Sequence, residues 1–340
     1  MSQQPTRRSD GTIQGRRVPQ PWPKDKPFRI LAIDGGGICG ILPASILAEL
    51  EHRYLGGTSI APYFDMIAGT STGGIIALAL AHGMPAAEIR DVYIQEGDKI
   101  FPPASKLGRL YRLFVQGYRY LYEREPLQSE LERIFGNAVL GDAKTRLCIP
   151  AFEGRFGEPW IYKTPHHPDY KLDRTERMVT VGLATAAAPT FFEALPNEGY
   201  IMIDGGLWAN NPVMNALVDA LSCFDLDRRQ IQILSLGCGE TTFQVSAAMA
   251  KGGMFHWYNA ITAAMRAQSK NALGQAFLLV GKDQVMRLDA PETTRAIRLD
   301  DHSRAAAELP NLARSLVEAS GREIQRQFLE ELALKFMPCP

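Results

Sequence analysis

The sequence predicts an α/β fold with a mainly parallel central sheet that helices cover on both faces. Apolar runs of strand length alternate along the chain with longer helical patterns, which is typical of parallel strands joined by helical crossovers. Glycine-rich turns directly follow two of the strand-like runs. With 340 residues, of which 46% are hydrophobic and 22% charged, the chain can bury a substantial core without disulfide bonds.

Two strand-turn-helix units open the predicted fold. The apolar run FRILAI, residues 28–33, predicts the first strand, and ILPASILAELEHRY, residues 41–54, predicts the helix after the glycine turn. FDMIAG, residues 64–69, predicts the second strand, and the next helix runs through IIALALAHG, residues 75–83. Three later strands are predicted at RLCIPAF (146–152), YIMID (200–204) and IQILSLG (231–237).

Residues 28–337 show no internal linker, so they are expected to form a single domain. Within it, residues 85–140 are expected to be a largely helical insertion. Residues 303–337 are expected to form two C-terminal helices separated near Ser320 and Gly321. A homodimer formed through these C-terminal helices is compatible with this layout.

Residues 1–27 are expected to be a disordered tail. They carry six basic residues against two acidic ones, together with five prolines. They also lack the apolar segment of a secretory signal. A basic arm that touches a membrane is the alternative.

The overall charge and the cysteines narrow the function classes. Lys plus Arg and Asp plus Glu number 37 each, so no long-range field attracts a nucleic acid polymer. The five cysteines form no C-x-x-C pair, which argues against a zinc site and a disulfide framework. A reducing cytoplasm, with action at the inner face of the membrane, is the expected location.

GTSTG, residues 69–73, places a serine between a predicted strand and a predicted helix. In this context a G-x-S-x-G motif indicates a nucleophile, because Gly69 and Gly73 permit a sharp turn that exposes the hydroxyl of Ser71 at a helix start. A plain turn in which Ser and Thr cap the helix is the structural alternative.

Asp204 is the candidate base for Ser71. It ends the strand YIMID, whose apolar residues would desolvate the carboxylate and raise its pKa toward the range in which it accepts a proton from a serine. Taken alone, an Asp-Gly turn is the structural alternative. Asn211 and Pro212, which follow, are assigned a structural role as the N-cap and first residue of a helix.

The glycine loop after the first strand is compatible with two functions. As backbone donors at a helix start, the amides of Gly35, Gly36 and Gly37 would form an oxyanion hole for an ester carbonyl. With Gly40 the loop also spells G-x-G-x-x-G, the pattern of a dinucleotide-binding domain. That fold needs an acidic residue at the far end of the second strand, whereas Asp65 lies near its start. The oxyanion hole is therefore favoured.

Three motifs follow one another in the order D-G-G-G-x-x-G, G-T-S-T-G and D-G-G, and together they resemble the patatin-like phospholipases, a family of serine acyl hydrolases. The matching positions are Asp34–Gly37 with Gly40, Gly69–Gly73, and Asp204, Gly205 and Gly206. ATAAAPTFF, residues 184–192, is similar to the alanine-rich segment that precedes the aspartate strand in that family. The resemblance spans roughly residues 28–240.

The resemblance implies a three-layer α/β/α fold and a catalytic dyad of Ser71 and Asp204 that cleaves phospholipid acyl esters without a metal or cofactor. Asp204 would take the Ser71 proton, the glycine amides would hold the oxyanion, and water would release the acyl enzyme. The overall layout is also similar to effector phospholipases that a cyclic nucleotide switches on in anti-phage defence. A constitutive lipid-turnover esterase is the alternative.

One position departs from the family pattern. The glycine loop usually carries Arg or Lys two residues after its third glycine, where this chain has Cys39. The missing cation would weaken the attachment of the loop to neighbouring carboxylates or the binding of a substrate phosphate. The thiol itself is expected to be either a small buried hydrophobe or a redox-sensitive group with a lowered pKa.

Two further features carry functional hypotheses. A conventional Ser-Asp-His triad would draw on His256 or His302, although neither lies in a recognisable motif. Residues 106–124 combine cations with aromatic side chains, which is typical both of a membrane-contacting lid and of an ordinary amphipathic helix. The proposed membrane contacts are Lys106, Arg109, Arg112, Phe114 and Tyr118.

Overall fold

The structure, a computed structural model, describes residues 17–103, 118–239, 243–251, 260–291 and 297–339. Its strands are β1 (Phe28–Ile33), β2 (Met66–Gly69), β3 (Arg146–Glu153), β4 (Glu158–Lys163), β5 (Leu195–Asn197), β6 (Tyr200–Asp204), β7 (Ile231–Leu236) and β8 (Val285–Leu288). Its helices are α1 (Ile41–Tyr54), α2 (Thr72–His82), α3 (Ala86–Ile100), α4 (Glu125–Phe135), α5 (Met178–Thr185), α6 (Gly206–Ala209), α7 (Val213–Cys223), α8 (Ala247–Lys251), α9 (Ala260–Val280) and α10 (His302–Phe328).

The strands form one mixed sheet in the order β5-β6-β3-β2-β1-β7-β8, and β4 also pairs with β3. β3, β2, β1, β7 and β8 are parallel neighbours, whereas β4 and β6 run antiparallel to β3 and β5 runs antiparallel to β6. The predicted mainly parallel sheet is therefore confirmed.

The side chains of the central strand divide the core into two layers. Ile30 and Ala32 pack with residues of α7 and α9 on one face of the sheet. Leu31 and Ile33 pack with residues of α1 and α10 on the other face. Because successive side chains of a strand point to opposite faces, helices on both sides make the predicted three-layer α/β/α arrangement.

Several predicted element boundaries agree with the structure, and others shift. β1, α1 and β6 have the predicted bounds, while β2 begins at Met66 rather than at residue 64. β4, β5 and β8 were not predicted, because they are short or, in β4, contain a proline that weakens the strand pattern. α3 and α4 lie within the predicted helical insertion. No helix among the described residues is both long and apolar enough to cross a membrane.

The C-terminal prediction of two helices is corrected to one. α10 runs unbroken from His302 to Phe328, and residues 329–339 contain no helix. Gly321 lies inside α10, where a Cβ atom would come within 2.7 Å of the Tyr54 hydroxyl oxygen. The glycine therefore permits close packing of α10 against α1 instead of ending the helix.

The expectation of a disordered tail over residues 1–27 is corrected for residues 17–27, while residues 1–16 lie outside the described residues. The ring of Trp22 is 6% exposed and packs against Phe28 and Phe224, with ring centroids 4.8 and 5.4 Å away. The Gln20 backbone N–H donates to the Cys223 carbonyl oxygen at 2.7 Å. Burial of one large aromatic side chain anchors a segment whose composition alone is that of a loop.

Candidate active site

Ser71 lies in a strained turn between β2 and α2. Its backbone has φ 55° and ψ −123°, a conformation that a residue with a side chain rarely adopts. Space for this turn depends on Gly69 and Gly73. A Cβ on Gly69 would lie 2.0 Å from the Gly73 carbonyl oxygen, and one on Gly73 would lie 2.3 Å from the Ile33 carbonyl oxygen. The strained turn raises the Ser71 hydroxyl above the sheet at the N-terminus of α2.

β3 brings Asp204 to Ser71. It pairs with the end of β2 at Cys148 and, further along, with the end of β6, where Ala151 is opposite Asp204. Because β6 runs antiparallel to β3, its C-terminal end returns to the edge of the sheet where β2 ends. Two motifs far apart in the chain thus meet at one edge of the sheet.

The Ser71 hydroxyl donates a hydrogen bond to Asp204 Oδ2 at 2.6 Å. The other carboxylate oxygen, Oδ1, accepts the N–H of Gly206 at 2.6 Å. Both residues are buried from solvent: Ser71 is 8% exposed and Asp204 is 5% exposed. Burial raises the pKa of Asp204 to about 6, against the lowering effect of the Ser71 and Gly206 hydrogen bonds. The carboxylate is therefore ionised at neutral pH yet more basic than an exposed one.

The glycine loop lies directly beside Ser71. A Cβ on Gly35 would come within 3.3 Å of Ser71 Cβ. The Gly35 N–H, however, donates to the Asn210 carbonyl oxygen at 3.0 Å, so the expectation of three oxyanion donors is corrected to two. Among the described residues, the N–H groups of Gly36 and Gly37 have no hydrogen-bond partner. These two amides are the ones available to a developing oxyanion.

The loop is held on both sides of the two free amides. Before them, the Asp34 N–H donates to the Leu236 carbonyl oxygen at 3.0 Å. After them, the Ile38 N–H donates to the Leu299 carbonyl oxygen at 2.9 Å. Preorganised donors of this kind cost little reorganisation when negative charge develops on a substrate.

Three supporting residues were not predicted. Thr185 accepts the Ser71 N–H at 2.9 Å, Asn210 accepts the Gly35 N–H, and Arg287 binds the Asp34 carboxylate. Thr185 lies in the ATAAAPTFF segment, which was noted for its resemblance to the family, but nothing in that segment indicates that Thr185 binds the Ser71 N–H. Asn210 acts through its backbone, which leaves no sequence signal.

Cys39 is a buried hydrophobe rather than a redox-sensitive thiol. It is 4% exposed, and burial raises its pKa to about 12. Its sulfur lies 3.7 Å from the Ile297 carbonyl oxygen, so the thiol is a weak donor. The alternative with a lowered pKa is therefore wrong, because burial and the nearby Asp301 carboxylate raise the pKa of the thiol, and their effect outweighs that of the Arg304 charge.

The histidine alternative finds no support at the dyad. His302 begins α10, and its Nε2 is hydrogen-bonded to the Ile94 carbonyl oxygen at 2.9 Å. His256 lies outside the described residues. Across the part of the chain that is described, the Asp204 carboxylate has no histidine partner.

One buried cluster has the residue types of a metal site. His166, Asp219 and Cys223 offer ligand atoms that lie within 4.8 Å of one another. His166 Nε2 is 2.7 Å from Asp219 Oδ2, and the Lys163 ammonium donates to Asp219 Oδ1 at 2.5 Å. A paired lysine already neutralises the carboxylate, so the cluster is a buried polar network between β4 and α7.

The other predicted sites are placed as follows. Lys106, Arg109, Arg112 and Phe114 lie outside the described residues, and Tyr118 is 84% exposed. Asp65 precedes β2, and its carboxylate accepts the backbone N–H groups of Arg29 and Leu334.

A dinucleotide site would need an acidic residue at the opposite end of β2, where the chain has Gly69 instead.

Comparison with known proteins matches the part of the chain that carries these motifs to a known family. The family model described as Patatin-like phospholipase matches residues 31–217. A cGAMP-activated phospholipase of Pseudomonas aeruginosa is 35% identical over 226 residues, which cover 66% of this chain and 65% of the relative. One from Vibrio cholerae is 38% identical over 197 residues, covering 54% of this chain and 55% of the relative.

A plant protein matches over a longer segment. Patatin-like protein 2 of Oryza sativa subsp. indica is 32% identical over 274 residues, which cover 69% of this chain and 67% of the relative. The match to the two bacterial relatives is shorter, and the chain spans less than two thirds of their length.

Proposed function

This chain belongs to the patatin-like phospholipase family, and we propose that it is a serine lipid acyl hydrolase that cleaves acyl esters of phospholipids. The observation that carries the proposal is the 2.6 Å hydrogen bond from Ser71 Oγ to Asp204 Oδ2, formed beside two free loop amides. Ser71 is the nucleophile, Asp204 is the general base, and Gly36 and Gly37 are the oxyanion donors.

The proposed reaction has two halves. Asp204 accepts the Ser71 proton while Oγ attacks the ester carbonyl carbon, and the Gly36 and Gly37 amides stabilise the oxyanion. The intermediate collapses to an acyl-Ser71, and Asp204 returns its proton to the departing lysolipid oxygen. Asp204 then takes a proton from water, whose oxygen attacks the acyl carbon. The second intermediate collapses to the fatty acid, and Asp204 returns its proton to the departing Ser71 Oγ, which restores the free enzyme.

We further propose that a cyclic oligonucleotide switches this activity on, as part of anti-phage defence. Two bacterial relatives bear the name cGAMP-activated phospholipase, which supports this choice of activator class. The low exposure of Ser71 and Asp204 supports an enzyme whose site must open before a lipid can enter.

The substrate lies in a membrane, so contact with the bilayer surface belongs to the proposal. The basic aromatic segment that includes Arg109 and Arg112 has the composition of a peripheral membrane contact at the inner face. Tyr118, within that segment, is 84% exposed.

The test is fatty acid release from mixed phosphatidylethanolamine and phosphatidylglycerol vesicles, with and without cGAMP and other cyclic di- and trinucleotides. Release that appears only with one nucleotide supports the effector function. Equal release with and without every nucleotide supports a constitutive lipid-turnover esterase and contradicts the switch. Absence of release under all conditions contradicts the hydrolase itself.

A further inference from the structure

The glycine loop lacks the cation that its family pattern places at position 39, and yet hydrogen bonds hold the backbone on both sides of its two free amides. Cys39 is buried and carries no positive charge that could bind a carboxylate. Asp34 is the residue before the three glycines, and its carboxylate is 4% exposed. A buried carboxylate beside a site where an oxyanion forms needs a counter-charge.

Arg287, on β8, supplies that charge. Its Nη1 donates to Asp34 Oδ1 at 3.0 Å, and its Nη2 donates to Asp34 Oδ2 at 2.7 Å. The same guanidinium donates to Ser235 Oγ at 2.8 Å and to Asp289 Oδ2 at 2.5 Å. With the Arg287 side chain only 15% exposed, water competes little for these bonds. Bidentate binding of this kind fixes the orientation of a carboxylate and also stabilises its negative charge.

The pair fixes the loop through the sheet. β8 pairs with β7 and β7 pairs with β1, so Arg287 reaches Asp34 across one intervening strand. Ser235, its other partner, lies on that intervening strand. Asp289 in turn accepts the Gly239 N–H at 2.8 Å. Through the Arg287 side chain, Asp34 is thus attached to β8, to β7 and, by way of Asp289, to the segment that follows β7.

We propose that Arg287 is a positioning residue that preorganises the oxyanion hole and supplies the positive charge absent at position 39. The inference rests on the proposed function. Arg287 touches no substrate: it holds Asp34, which sets the direction of the Gly36 and Gly37 N–H groups. Its positive charge, which Asp34 shares with Asp289, offsets part of the negative charge that would otherwise repel the oxyanion. It lies outside residues 31–217, the part of the chain that the family model matches.

Arg146 offers a matched control. It is also a buried arginine, 8% exposed, and its Nη1 donates to the Asp65 carbonyl oxygen at 3.1 Å. It begins β3 and lies at the opposite end of the strands from Ser71. Replacing it removes a buried guanidinium without touching the glycine loop.

The experiment compares Arg287→Met, Arg287→Lys and Arg146→Met with the wild-type chain. The measured quantities are kcat and KM on the phospholipid vesicles with cGAMP, the Tm, and the rate at which a fluorophosphonate labels Ser71. We expect Arg287→Met to lower kcat and the labelling rate about 100-fold, with KM within about threefold. Arg287→Lys keeps the positive charge but loses the bidentate guanidinium geometry, so kcat and the labelling rate should fall about tenfold.

Arg146→Met should lower the Tm and leave kcat and the labelling rate within about threefold of wild type, because its effect is on stability alone. If Arg287→Met keeps a kcat and labelling rate within threefold of those of Arg146→Met, the positioning role is overturned. Should Arg287→Met fail to fold, the kcat and labelling rates of Arg287→Lys and Asp34→Asn are compared with those of Arg146→Met in the same way.

The two proposals fail separately. A wild-type chain that labels with fluorophosphonate but releases no fatty acid contradicts the lipid hydrolase. The labelling rates then still decide on Arg287, because labelling needs the nucleophile and the oxyanion hole but no lipid. Slow labelling of the Arg287 variants supports the positioning role, and unchanged labelling overturns it.

Discussion

The side chain of Thr185 accepts the backbone N–H of Ser71 at 2.9 Å and donates its own proton to the Pro150 carbonyl oxygen at 2.6 Å. This chain of bonds ties the strained turn to the end of α5 and to β3. Ser71 has a positive φ, so its conformation persists only because the surroundings hold it.

Thr185→Val should therefore damage both stability and turnover. The Ser71 N–H would be buried without an acceptor, which costs about 1–3 kcal/mol of the free energy of unfolding. Misplacement of the nucleophile should lower kcat about tenfold or more. Chemical denaturation and vesicle hydrolysis measure the two effects. Thr185→Ser retains the hydroxyl and should stay close to wild type; an equally large loss there would contradict the role of the hydrogen bond.

Gly73→Ala tests the close approach that the turn requires. The new methyl group would lie 2.3 Å from the Ile33 carbonyl oxygen and 2.6 Å from the Asp34 carbonyl oxygen. Because both contacts are with backbone, we expect a loss of about 3 kcal/mol in the free energy of unfolding.

Gly274→Ala is the matched control, since, apart from the glycine's own stretch of helix, no atom of the described residues lies within 4 Å of the Cβ position there. It lies within α9 and should raise the free energy of unfolding by about 0.5–1 kcal/mol. Equal effects of the two substitutions in a urea melt would contradict the packing argument.

The closeness of Ser71 and Asp204 could be predicted because the two residues lie in short motifs at the ends of predicted strands. Ser71 and Asp204 each follow an apolar run directly, and strand ends at one sheet edge meet in space. Oxyanion donors are harder to assign, because the Gly35 amide is captured by the main-chain oxygen of Asn210. A backbone acceptor has no residue type, so no sequence pattern marks it.

Arg287 could not be predicted for a different reason. It lies on a strand of four residues and is separated from Asp34 by 253 positions. Only the strand order places the two side chains together. Gly321 was misinterpreted as a helix break, because the sequence shows a glycine but not the Tyr54 ring that requires one.

The raised pKa of Asp204 predicts an acid limb in the pH dependence of kcat/KM. Burial raises its pKa to about 6, and the protonated carboxyl cannot accept the Ser71 proton. Below that pH, kcat/KM should fall about tenfold per pH unit, and above it this limb should be flat. Hydrolysis of a fluorescent phospholipid from pH 5 to 8 measures the profile, with circular dichroism to check that the chain stays folded. Activity that is unchanged down to pH 5 would contradict Asp204 as the base.

Asp204→Asn should stabilise the fold at neutral pH. The folded pKa, about 6, lies above the ordinary value of 3.8, so folding takes up a proton between these values. The wild-type chain therefore loses stability as pH rises through this window, by at most about 3 kcal/mol. The amide carries no charge to desolvate, so its Tm advantage over wild type should be larger at pH 8 than at pH 4.5. A Tm difference between Asp204→Asn and wild type that becomes smaller as pH rises would contradict the raised pKa of Asp204.

The most direct test of the account is fatty acid release by the wild-type chain, Ser71→Ala and Asp204→Asn on the same cGAMP-supplemented vesicles. Ser71→Ala removes the hydroxyl of this 2.6 Å hydrogen bond, and Asp204→Asn replaces the basic carboxylate with an amide of nearly the same size. We expect the wild-type chain to release fatty acid and both variants to lose about 1,000-fold or more of this activity while they remain folded. Release that survives in Asp204→Asn at near wild-type rate would contradict the dyad and require another base for Ser71.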